Sequence, residues 1–198
     1  MKIKFAAALI VLVCSGDVFA SQLAQEKLKL SAMAAGELNK LQVEIESVLR
    51  SRADGKLSYF KDQTFEIQHG DRTFSLIPVG YLPQTKTQNG LRYRCAVGIR
   101  NGKDGSLTVT DVIGVGNFEA VTCSKPVAVG TLTFADKRAG LIAIFDSSSP
   151  NASVKSPVVF SFNDQGNLIL DFEKTDDIDS AGKGTSVSGA RKYFANRK

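Results

Sequence analysis

The chain has 198 residues, 43% of them hydrophobic, and carries 25 Lys and Arg against 20 Asp and Glu, with one His, for a formal net charge of +5. This length can bury one substantial core. So small a basic surplus is as much a solubility charge as an attraction to anionic material, and without aromatic residues at base-stacking spacing it argues against a nucleic-acid binder.

Met1-Lys2-Ile3-Lys4 makes a short positive start, and Phe5 to Val13 is an unbroken apolar run. Ser15-Gly16-Asp17 breaks that run, and Val18-Phe19-Ala20 supplies the small or modest side chains that a signal peptidase reads. The run is too short to cross a bilayer as a helix. Residues 1–20 are therefore expected to be a cleaved signal peptide, leaving a mature chain in the periplasm or secreted, with no transmembrane segment. Cys14 follows Val13 rather than the Gly, Ala or Ser of a lipoprotein site, so it is expected to leave with the leader. Loss of Lys2, Lys4 and Asp17 lowers the net charge by one. The two remaining cysteines, Cys95 and Cys123, are expected to pair in an oxidising compartment. Such a bridge would stabilise the fold by about 3–4 kcal/mol in the chain-entropy model.

From Gln22 to Arg52 strong helix formers dominate and proline is absent. Leu38, Leu41, Ile45 and Val48 recur at helical spacing, with Leu23, Leu30 and Ala34 as a looser continuation. The reading is an N-terminal helical segment, residues 21–55, bent or divided at Gly36 and stopped near Ala53-Asp54-Gly55. The stripe covers too few heptads for a coiled coil, so the helix is expected to pack on the following sheet.

Beyond residue 56, short runs rich in Val, Ile, Phe, Tyr and Thr alternate with Gly- and Asn-containing turns. Strands are expected near 58–60, 64–69, 72–79, 91–100, 106–115, 118–123, 127–134, 140–146, 157–162 and 167–173. The fold class is α+β, mainly β: a helix on an antiparallel sandwich or barrel spanning 56–175, with one disulfide and a polar, basic tail or short helix over 176–198. In the run from Leu91 to Arg100, alternation puts Leu91, Tyr93, Cys95, Val97 and Ile99 on a core face and Arg92, Arg94 and Arg100 on the other. Leu141-Ile142-Ala143-Ile144-Phe145 is apolar on both faces, as a central strand covered on both sides would be, with the N-terminal helix as the expected cover. Leu82 to Gly90 and Asp146 to Pro157 are expected to be exposed loops.

Catalytic motifs are sparse. His69 sits beside Gly70 in an expected hairpin turn, and any His-dependent nucleophile would have to use it. Ser58–Lys61 and Ser180–Lys183 match SxxK without the helix and companion motifs that give that pattern meaning. Asp177-Ile178-Asp179-Ser180-Ala181-Gly182 begins like a calcium loop but fails at Ala181 and Ser188. Gly182-Lys183-Gly184-Thr185 resembles a phosphate loop only superficially. No metal site or cofactor is expected. The binding residues proposed from sequence are Arg92, Arg94 and Arg100, with Lys103 at the adjoining turn, whose cations suit carboxylates and phosphates.

The expected function is that of a non-enzymatic exported binding protein, an inhibitor or immunity-type partner of another envelope or secreted protein or of an anionic envelope polymer. The alternatives are an envelope or surface-appendage assembly component docking through its N-terminal helix, and a hydrolase using scattered carboxylates.

Overall fold

The computed structural model describes residues 27–84, 92–118, 121–149 and 151–197. The expected leader with Cys14, and residues 85–91 of the expected loop and strand, lie outside them. Two antiparallel sheets face each other. The first runs β1 (Lys29–Ala32), β3 (Phe65–His69), β4 (Arg72–Tyr81), β5 (Arg94–Asn101), β6 (Leu107–Ile113), with β2 (Ser58–Tyr59) also paired to β4. The second runs β10 (Leu168–Leu170), β9 (Ala152–Phe162), β8 (Ala139–Ser149), β7 (Thr122–Thr133). Helix α1 (Ala35–Leu49) covers the outer face of the first sheet, and α2 (Phe172–Ser180) and α3 (Val187–Asn196) cover that of the second. The layers are helix, sheet, sheet, helices. Among the described residues no helix is long and apolar enough to cross a membrane.

Three apolar clusters fill the spaces between these layers. Ile67, Phe74, Leu76, Cys95 and Val97 meet Leu141, Ala143, Phe145, Val158 and Phe160 between the sheets. Leu38, Leu41, Ile45 and Leu49 of α1 meet Ile77, Val79, Tyr81 and Ala96. Ile178, Ala190 and Phe194 meet Leu132, Phe134, Ile142, Ile144 and Val159. The fully apolar stretch of β8 is thus central and covered on both faces, but its helical cover comes from the C-terminus, not from the N-terminal helix.

The expected disulfide forms: Cys95 of β5 and Cys123 of β7 join the two sheets with Cα atoms 5.6 Å apart. Beside it, the Cys123 backbone N–H donates to the Tyr93 carbonyl at 2.8 Å. The strand alternation that turned Cys95 inward therefore held.

Other expectations need correction. The helix occupies only part of 21–55: Lys29–Ala32 pairs with β3 instead, with Leu30 opposite Ile67. Leu28 and Leu30 reach the intersheet core there, and that burial outweighs a helix propensity worth a few tenths of a kcal/mol per residue. Gly36 marks the first turn of α1 rather than a bend. The helix also ends earlier than expected, at Leu49 with Arg50 in the right-handed region, and Gly55, at φ 84°, takes the left-handed shape only in the connection that follows. The expected loop from Asp146 to Pro157 is a hairpin, β8 reaching Ser149 and β9 starting at Ala152. Its Ser147 and Ser156 hydroxyls satisfy one another at 2.5 Å in a buried position. The two strands expected at 118–123 and 127–134 form one strand, β7, bulged between Cys123 and Lys125 and between Pro126 and Ala128. Pro126 is tolerated because β7 is an edge strand. The boundary expected at 175/176 falls inside α2, and the stretch expected as a polar tail or short helix forms the rest of α2 and all of α3, both packed on the sheet.

Candidate functional site

At one end of the sandwich the space between the sheets opens into a hollow of about 340 Å³. Val112 and Asp111 of β6, Val115, Gly116 and Phe118 after it, Val158 and Leu170 from the second sheet, and Phe172, Thr175 and Asp176 of α2 line it. Each wall has a local cause. Gly114, at φ 88°, turns the chain after β6 through a backbone shape that side chains resist. Its N–H then donates to the Phe118 carbonyl at 3.1 Å, closing the turn. The segment between the two bridged cysteines contains this whole wall, so the disulfide fixes both its ends.

The opposite wall depends on how α2 starts. Asp171 is its cap, accepting from the Lys174 backbone N–H at 3.0 Å, and from the Ser161 hydroxyl and the Lys174 ammonium at 2.8 Å each. Burial alone would raise the Asp171 carboxyl, but these hydrogen bonds and the Lys174 charge outweigh it and hold the group below its ordinary value. The fixed cap leaves Phe172 at the lip of the hollow, 64% exposed. The buried Thr175 hydroxyl oxygen is engaged by the Val159 N–H at 2.9 Å.

Asp111 is tied to the scaffold. It accepts from the Tyr81 hydroxyl at 2.6 Å and pairs with Arg52 at 3.4 Å. Burial, then the Asp111 hydrogen bond and charge, push the Tyr81 phenol up to about 12. Asp179, one turn beyond Asp176, is raised by partial burial and then by the Asp176 charge.

The arginines do not form one open face. Arg100 lies beneath α1 and pairs with Glu44 at 3.5 Å. Arg94 is half-buried, its side chain against Gly114. Arg92 is half-buried ahead of β5, and Lys103 is exposed in the turn after it. The sheet face expected to be open is the one α1 covers. His69 ends β3 at the expected hairpin turn, where it is 6% exposed and stacked on Phe162 with ring centroids 4.2 Å apart. Asp176, Asp177 and Asp179 lie on helix α2 rather than in a calcium-type loop, and Asp177 pairs with Arg197. Among the described residues no group of three or more His, Cys, Asp and Glu is arranged to hold a metal ion.

A second, larger hollow of about 600 Å³ lies between the β7–β8 turn and the ends of α2 and α3. Most of the charges that line it are paired: Lys174 with Asp171, Arg197 with Asp177, and Asp136 with Arg138. Phe172, Tyr81 and Asp111 were not singled out from the sequence. The one signal for Phe172 was Asp171 as a helix cap, masked by reading 167–173 as a strand. No family model, no curated protein sequence and no solved structure matches this chain, so its function is read from the site itself.

Proposed function

We propose that the protein is an exported, non-enzymatic binding protein whose partner is another envelope or secreted protein, in an inhibitor or immunity-type role. The observation that carries the reading is the apolar hollow with Phe172 exposed at its lip. A preformed apolar recess beside an exposed aromatic ring is the usual form of an interface anchor point. Asp111 supports binding over catalysis, because its hydrogen bond to Tyr81 and its pairing with Arg52 suit a fixed scaffold rather than a proton carrier. The Cys95–Cys123 bridge is compatible with an oxidising compartment.

Docking through α1 has less support. That helix spends Leu38, Leu41, Ile45 and Leu49 on its own sheet. Its exposed large apolar residues are Val43 and Val48, which five positions separate around the helix.

The test uses residues 21–198 as bait in envelope extract, beside a Phe172→Ala variant of matched thermal stability. A specific partner held by the wild type and released by the variant supports the reading. Turnover of a peptidoglycan or glycan substrate, abolished by replacing a single Asp or Glu, overturns it.

A further inference from the structure

The hollow also carries information about the chemistry of its occupant. We infer that it receives a segment of a protein partner in which an apolar side chain is followed by a lysine or arginine. This rests on the binding reading above and adds charge specificity to it.

The apolar half follows from the walls, Val112, Val115, Phe118, Val158 and Leu170. At about 340 Å³ the hollow is at the small end of binding pockets and suits an anchoring side chain better than a large ligand.

The cationic half follows from the lip. Phe172 and Asp176 are four residues apart on α2 and so lie on the same helix face. A cation seated there meets a carboxylate and an exposed ring face together. Asp179 follows within one turn and adds a second negative charge. The α2 ion pairs among the described residues join Asp171 to Lys174 and Asp177 to Arg197, and Asp176 and Asp179 enter none. Asp179 is, moreover, in the last turn of α2, where the helix dipole favours a positive charge. Its carboxyl is raised, first by partial burial and then by the Asp176 charge. Asp111, on the far side of the hollow, is already neutralised by Arg52. Of the two carboxylates that line the hollow, only Asp176 on the α2 side is without an ion-pair partner among the described residues, which orients the occupant.

The experiment titrates the isotope-labelled chain 21–198 with three capped tetrapeptides, identical except that lysine, glutamine or glutamate follows a single leucine. Binding is read from backbone resonances of Val115, Phe118 and Leu170. The lysine peptide is expected to bind about five-fold more tightly than the glutamine peptide, with glutamate weakest, and the preference should shrink as salt rises. An Asp176→Asn/Asp179→Asn double variant should bind the lysine and glutamine peptides alike. Phe172→Ala should weaken binding of all three. Equal binding of lysine and glutamine peptides, both dependent on Phe172, overturns the charge specificity and leaves the hollow as a partner site. Resonances that respond to no peptide overturn both readings. Hexylamine binding as tightly as the lysine peptide overturns the assignment to a protein segment.

Discussion

Asp171 receives hydrogen bonds from the Lys174 backbone and ammonium and from Ser161, and through them it sets where α2 begins. Asp171→Ala should cost about 1–2 kcal/mol at neutral pH, read from urea denaturation. Its folded carboxyl lies below the unfolded value of 3.8, so its contribution is complete above that value and disappears as pH falls through the lower folded one. The gap between wild type and variant should therefore close in strong acid. Asp179 behaves in the opposite sense. Its folded carboxyl lies above 3.8, so the folded state carries a penalty that is complete above the folded value and absent below 3.8. Asp179→Asn should stabilise the protein at pH 7 by about 0.5 kcal/mol, since the side chain is largely solvated and the helix dipole also opposes it, with no gain near pH 3. A loss at pH 7 would contradict this account. Both residues were visible in the sequence as acidic side chains, but their opposite shifts depend on which neighbours the fold brings. Only the structure places Ser161 beside one of them.

Among the elements, α1 shows what periodicity can and cannot establish. Leu38, Leu41 and Ile45 form the buried stripe that the spacing predicts, but Leu49 completes it while Val48 is 42% exposed. A straight helix moves about 100° per residue, so one residue at the end of a stripe changes sides readily. Ile45 is fully buried against the Gly98 position of β5. Ile45→Ala should cost about 2–4 kcal/mol in chemical denaturation. The bridge between β5 and β7 is the other decisive link. Replacing Cys95 and Cys123 together by Ala should cost about 3–4 kcal/mol, and reducing agent should bring the wild type to the stability of the variant. An unchanged denaturation midpoint would mean that the sheets hold together without it. The pairing was legible because only two cysteines lie beyond the expected leader. That it joins two sheets, rather than neighbouring strands, was not.

For the whole molecule, the C-terminal helices matter most for what the chain conceals. The C-terminal stretch reads as a polar tail or a short helix with no apolar face singled out, yet Ile178, Ala190 and Phe194 cover Leu132, Phe134, Ile142 and Ile144. A chain ending at Asp171 would bare that face of the second sheet. It should bind a hydrophobic dye strongly and aggregate at concentrations where the intact protein stays in solution. The sequence by itself determined the features that arise from local pattern. These are the alternation that turns Cys95 inward, most of the α1 stripe, the hairpin turns and the predominance of antiparallel strands. The tertiary structure alone decided that Lys29–Ala32 adds to a sheet, that α1 covers the arginine-bearing face of β5, and that the C-terminal helices close the other side. It also decided that Phe172 and Asp176 line one hollow with the end of β6. The physical reason is that a residue's periodicity specifies which side it buries, whereas the surface it buries against depends on register and layering between segments distant in the chain. The candidate site is made entirely of such distant meetings.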